Sequence, residues 1–289
     1  MAEITSALVK QLRDKTFAGM MDCKKALEET GGDMTAATDW LRDKGIMKAD
    51  KKSGRVAASG LISVTASDGF GLVFEVNSET DFTAKNDMFV KLVKDATAAA
   101  VANGGDLEKT RQAMSAEITN LIATTGENMG IRRMATMKAD VVATYVHNPV
   151  ADGMGQIGVL VGLSGGDKEK MMEIGKKVAM HVAASKPDFA KAADVTKDLI
   201  DKEKKFFIDS GATAGKPENI VEKMIEGRIQ KYFAEIVLEE QEFVMEPGKK
   251  VKAVLTDHGA ALVGFEYFLL GDGIEKKQEN LADEVAKML

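Results

Sequence analysis

GLISVTASDGFGLVFEVNSETDFTAKNDMFVKLV, residues 60–93, changes its apolar period once from two to that of a helix and so decides the fold class. Ile62, Val64 and Ala66 fall on alternate positions, Asp68-Gly69 offers a tight turn, and Leu72, Phe74 and Val76 alternate back. Alternation on both sides of a turn dipeptide is the pattern of a β-hairpin with one buried face. From about Asp87 to Ala102 the spacing becomes helical, with Phe89, Leu92, Val93 and Ala96 on one face. Between the two lies a polar connection, Asn77 to Asn86, that contains Phe82. A ring at such a junction either folds back as a hydrophobic staple or projects as an anchor; the residues leave both open, the staple being slightly favoured.

Working outward, residues 1–54 are expected to form three short helices. Ile4, Leu8 and Leu12 share one face, Met34, Ala37 and Leu41 another with Trp40 nearby, and Gly31 and Gly45 suit helix ends. The charged run Lys48 to Arg55 is expected to be a linker. After the 87–102 helix, Leu107, Met114, Ile118, Leu121 and Ile122 indicate further helix ending near Gly126. The pattern then recurs, with strands at Val141–Val146 and Ile157–Leu163, a loop from Asn148 to Gly155, and a helix carrying Met171, Ile174, Val178 and Val182. Strand, turn, strand, helix occurring twice suggests duplication, the alternative being independent recurrence of a common motif.

Beyond Pro187, helical patterns over about Val195–Asp209 and Pro217–Glu235 flank a turn-rich stretch, giving an antiparallel helical hairpin. Strand character returns at Phe243-Val244-Met245 and at Leu262–Leu269, and a last short helix is expected from about Leu281. The fold class is therefore α+β. The expected units are a helical bundle (1–54), a first αβ subdomain (55–140), a second (141–272) with the hairpin inserted at about 188–236, and a C-terminal helical module (273–289).

A net charge of −6 repels a phosphate backbone at long range, so general nucleic-acid binding is disfavoured. The lone Cys23 cannot form an intramolecular disulfide, which fits a reducing cytoplasm, and neither a signal sequence nor a membrane-spanning stretch is apparent. No catalytic, metal or cofactor site emerges. Gly211 to Lys216 resembles a phosphate loop but has three residues between its glycines instead of four, and Pro217 where a hydroxyl is needed. Gly153-Met154-Gly155 opens a strand, not a helix. His147, His181 and His258 stand far apart without metal-ligand spacing, and most of the 17 methionines fall at helical core spacing.

Thr80-Asp81-Phe82-Thr83-Ala84-Lys85-Asn86 resembles a signature of the elongation factor Ts family, and Gly19-Met20-Met21-Asp22-Cys23-Lys24-Lys25-Ala26-Leu27 resembles a second one. Gly126-Glu127-Asn128, Ile131-Arg132-Arg133, Ala179 to Ala184 and Phe243-Val244-Met245-Glu246-Pro247 also match, so the resemblance runs over nearly the whole chain. It implies a bundle similar to ubiquitin-associated domains and a non-enzymatic guanine-nucleotide exchange factor for elongation factor Tu, with no cofactor of its own. The implied partner contacts are Thr80, Asp81, Phe82, Thr83 and Gly126 around the wedge, Lys24 in the bundle, and His147, Val244 and Met245 on the second subdomain. Phe82 then projects. A homodimer, or a heterotetramer with the partner, is compatible with the resemblance. Thr83 departs from the family's frequent valine, and the Asn148–Gly155 loop is expected to be longer than in relatives. The runner-up is a ribosome-associated or chaperone-like binding module; a nucleotide hydrolase stands third.

Overall fold

The structure is a computed structural model and describes residues 4–16 and 18–275; the helix expected from Leu281 lies outside the described residues. Three helices, α1 (Ser6–Thr16), α2 (Met20–Glu29) and α3 (Met34–Lys52), enclose a small core of Val9, Leu12, Cys23, Ala26, Leu27 and Ala37. The bundle expected from the apolar stripes is present. The linker is not: α3 runs on to Lys52, through Gly45. A Cβ at Gly45 would lie 3.6 Å from Ala123 Cβ, an ordinary contact distance, so α3 passes alongside the core helix that carries Ala123.

The expected hairpin forms as β1 (Ser59–Ser67) and β2 (Phe70–Ser78), in register from Ser59↔Ser78 to Ser67↔Phe70. Then come α4 (Asp81–Ala84), α5 (Asp87–Ala102), α6 (Leu107–Ala113) and α7 (Ser115–Thr125), and β3 (Met129–Lys138) returns antiparallel to β2. The second half repeats this plan. β4 (Val141–Ala151) and β5 (Met154–Gly165) form a hairpin, helices α8 (Lys168–Ser185), α9 (Lys197–Asp209), α10 (Glu218–Ile236) and α11 (Val251–Asp257) follow, and β6 (Ala260–Leu269) returns antiparallel to β5. In each half the second strand is central. The halves pair edgewise at Ile62↔Gly155 and Ser63↔Met154, which joins all six strands into one sheet.

Alternation along the strands sorts the apolar side chains into layers. Leu72, Phe74 and Val76 of β2 face α5 and α7, in a core with Phe89, Leu92 and Leu121. Val159, Val161 and Leu163 of β5 face α8 and α11, in a core with Met171, Val178 and Val254. The opposite faces meet each other, Ile62, Val64, Val73 and Met137 packing with Val142, Leu160 and Phe268. Helices thus cover two outer faces of a doubled sheet. Close approach of the inner faces depends on Gly158, where a Cβ would fall 2.4 Å from Ile62 Cγ2 and 2.7 Å from Val64 Cγ1. Gly158→Ala is expected to lower the unfolding free energy by about 1–3 kcal/mol through overpacking, read as an earlier denaturant midpoint.

Several local expectations are corrected. The stretch Asn148–Gly155 is not a long loop, because β4 continues to Ala151 and turns at Asp152-Gly153. Register shifts between Pro149 and Ala151, so a bulge accommodates the proline that disguised the strand. Phe243-Val244-Met245 is a turn rather than a strand, held by Phe243 N–H to Lys249 O (2.8 Å) and Glu246 N–H to Phe243 O (3.0 Å). The α9–α10 hairpin is present, and neither helix contains a buried residue.

Candidate functional site

Phe82 is the second residue of α4, and 84% of its surface is exposed. Ala84, two positions on, is buried in the α5–α7 core. Two residues correspond to about 200° around a helix, so burying the small methyl turns the ring outward. The staple alternative is not the one adopted. A four-residue helix has too few internal bonds to hold itself, so its direction must come from its surroundings.

Those surroundings are polar and specific. Thr80 caps α4, its hydroxyl oxygen accepting from Thr83 N–H (3.3 Å), and Asn86 caps α5 by accepting from Met88 N–H (2.9 Å). The Glu127 carboxylate accepts from both Thr80 N–H (3.0 Å) and Thr80 Oγ1–H (2.7 Å). In the opposite direction, Glu79 Oε1 accepts from Asn128 N–H (2.5 Å) and pairs with Arg55 (3.5 Å). Asp81 is exposed and bonded to Lys85 Nζ (2.8 Å), whose hydrogen bond and charge hold the carboxyl below its usual range. Thr83 is half-buried.

Gly126 joins this cluster. It ends α7 in the left-handed conformation (φ 76°), and its carbonyl accepts from Lys52 Nζ at the end of α3. Asn128 Nδ2 donates to Ser53 O (3.3 Å) and Arg55 O (2.7 Å). Thr80 to Thr83, Gly126 and the end of the bundle's long helix therefore form one constellation. Lys24 lies apart from it on α2, exposed, 3.8 Å from Glu28. Beside it Met20 and Met21 are also exposed, Met21 at 75%. Spacing assigns most methionines to the core, yet Met21, two residues before Cys23, turns away from the buried stripe, and Met20, which shares the stripe of Cys23 and Leu27, is exposed at the first turn of α2.

The remaining residues lie on the second half. His147 is exposed on β4, opposite Ile157, with its Nδ1 3.2 Å from Tyr145 Oη. Val244 and Met245 protrude from their turn at 52% and 42% exposure. Beneath them His181 of α8 is fully buried, Nε2 2.9 Å from Gln241 Oε1, while Nδ1 accepts from Val244 N–H (3.3 Å). Since Nδ1 accepts, the proton sits on Nε2 and the ring is neutral. Burial pushes its pKa below the ordinary imidazole value, only partly offset by Gln241. The unfolded chain then binds the proton more readily, and stability falls as pH drops below about 6.5 toward the folded pKa. Unfolding free energies between about pH 5 and 7 should show this slope in the wild type and a shallower one in His181→Gln.

Among the described residues no group of three or more His, Cys, Asp or Glu is placed to hold a metal ion, and no helix is long and apolar enough to cross a membrane.

Residues 79–272, the span that holds Glu79, Thr80–Thr83, Gly126–Asn128 and the Val244-Met245 turn, match the family model described as Elongation factor TS. The chain belongs to the elongation factor Ts family. It is 52% identical to elongation factor Ts of Maricaulis maris, over 99% of this chain and 98% of the relative. Elongation factor Ts proteins of Parvibaculum lavamentivorans and Rhodospirillum centenum are each 48% identical, over 99% and 100% of this chain and 98% and 99% of their own lengths. Membership connects the chain to translation elongation. The family match takes in α4 to β3 of the first half and the whole second half of the sheet; β1, β2 and the bundle are covered by the whole-chain relatives.

Proposed function

We propose that this chain is a guanine-nucleotide exchange factor that binds elongation factor Tu in its GDP form, disturbs the magnesium and phosphate site of that partner, and promotes GDP release. The observation that carries the reading is the exposed Phe82 on a short helix held by Thr80 and Glu127. Inserting the ring into a partner pocket is worth about 1.5–3 kcal/mol. Asp81, exposed beside it, supplies polar contacts. Loosening a divalent ion's coordination adds to the difference between GDP-bound and free partner.

The wedge alone is too small to expel a tightly held nucleotide. Lys24 on α2, and His147 with Val244 and Met245 on the second half, give the reading two further contact areas on other elements. Contacts on several partner domains let binding energy be spent on separating them. The chain acts through binding energy alone and performs no covalent chemistry, so it needs no cofactor.

Thermodynamic linkage sets the test. If this chain weakens GDP binding to elongation factor Tu by some factor, GDP weakens binding of this chain by the same factor. Calorimetric titration into nucleotide-free and GDP-saturated elongation factor Tu should give clearly tighter binding to the former. Equal affinities would sink the proposal. A second reading, a ribosome-associated or chaperone-like binding module, rests on the α9–α10 hairpin, whose Phe206 is 69% exposed. It predicts a main partner in lysate pull-downs other than elongation factor Tu.

A further inference from the structure

We propose that Glu127, aided by Glu79, is the positioning residue that sets the direction of the Phe82 wedge before any partner is met. This inference rests on the exchange-factor reading and adds a residue to it. Glu127 and Thr80 are 47 positions apart in sequence, yet both donors of Thr80 converge on the two oxygens of one carboxylate. The hydroxyl proton is thereby committed to Glu127, which turns an oxygen lone pair toward Thr83 N–H and closes the cap of α4. Ser78, fully buried, donates to Thr80 O (3.0 Å) and fixes the other side of the same residue.

Glu79 completes a crossed clasp. Each strand-to-helix or helix-to-strand connection lends a carboxylate to the other: Glu127 reaches Thr80, and Glu79 reaches Asn128 N–H. Phe82 itself buries little in the free protein, so the clasp has no packing of the ring to assist it. Holding an exposed ring in its bound direction cuts the ordering cost of association, and cutting that cost raises affinity without a new contact. A carboxylate suits this task because it accepts from two donors at once, whereas an amide presents one acceptor and one donor. Charge-assisted bonds are also stronger than neutral ones.

The test is a double-mutant cycle on stimulated GDP release, using full-length wild type, Glu127→Ala, Phe82→Ala and the double variant with GDP-loaded elongation factor Tu. Glu127→Ala should slow release about tenfold in the wild-type background and less than about twofold when Phe82 is already alanine. Glu127→Gln, which keeps one acceptor, should recover part of the loss. Equal effects in both backgrounds would overturn the inference, since Glu127 would then contact the partner or support the fold independently of the ring. Should Glu127→Ala fail to fold, the same cycle with Glu127→Gln and Thr80→Val decides by the same criterion. A failure of wild type to stimulate release at all would instead defeat the exchange reading, and a Phe82→Ala variant as active as wild type would remove the wedge that the clasp is said to aim.

Discussion

Glu75→Ala is expected to cost about 3 kcal/mol or more of unfolding free energy, the largest single-residue effect predicted for the fold. Glu75 is fully buried on the inner face of β2, where one carboxylate accepts from Asn77 Nδ2 (2.8 Å), Gly271 N–H (2.8 Å), Arg132 Nη1 (3.1 Å) and Arg133 Nε (2.6 Å). Two consecutive arginines reach it because β3 bulges there, Val76 facing Ile131 and Glu75 facing Arg133, so that Arg132 is the extra residue. Arg133 also donates to Leu269 O (2.8 Å) and lies 4.4 Å over the Phe268 ring, while Arg132 donates to Asp272 O (2.6 Å). The carboxylate therefore ties the end of β6 to β2 and β3. Removing it leaves two guanidinium groups and a backbone donor without their acceptor. The arginine side chains keep 30% exposure and recover some hydration, which argues for the lower part of the 3–5 kcal/mol range.

The same group sets part of the acid stability. Burial alone would raise the Glu75 pKa, but the hydrogen bonds from Asn77, Gly271 and Arg133 outweigh it and hold it below 4.5. A depressed folded pKa contributes stability that is complete above the unfolded value and disappears as pH falls through the folded one. Chemical denaturation of wild type and Glu75→Gln should converge as pH drops below about 4.5. A Glu75→Ala loss under about 1 kcal/mol would contradict the account of the junction.

Phe82→Ala is expected to have the largest functional effect, slowing stimulated GDP release about tenfold to a hundredfold. Its unfolding midpoint should match wild type, because a ring 84% exposed leaves no cavity when removed. Asp81→Ala should slow release less, because it removes exposed polar contacts and no inserted ring, and loss of its exposed ion pair with Lys85 should leave stability nearly unchanged. A Phe82→Ala variant that loses stability but not activity would assign the ring to the fold.

Much of the fold could be read from periodicity because its strands alternate cleanly where one face meets helices. Leu72, Phe74 and Val76 are such a case, while Ile62 and Val64 alternate on the face turned toward the other half of the sheet. β3 is not legible in the sequence because its bulge interrupts the alternation at Arg132-Arg133, where polar residues serve a buried carboxylate on another strand. β4 was cut short at His147 for a similar reason, Pro149 lying at a bulge. The charged end of α3 resembles a linker because its partners, Gly126 and Asn128, are supplied by a distant segment. At the site, local sequence shows the odd placement of Phe82 at a polar strand-to-helix junction, whereas the capping roles of Thr80 and Asn86 emerge from the structure. It left open which way the ring faces, which depends on Ala84 occupying the inward position. Resemblance, not residue physics, favoured projection. The role of Glu127 is not legible in the sequence, because a bond across 47 residues has no local signature.

The most direct measurement is the rate at which labelled GDP leaves elongation factor Tu when this chain is added in excess, with unlabelled nucleotide present to prevent rebinding. The account predicts a rate that rises with the concentration of the chain and levels off as the complex saturates. A release rate indifferent to the chain at every concentration would contradict it.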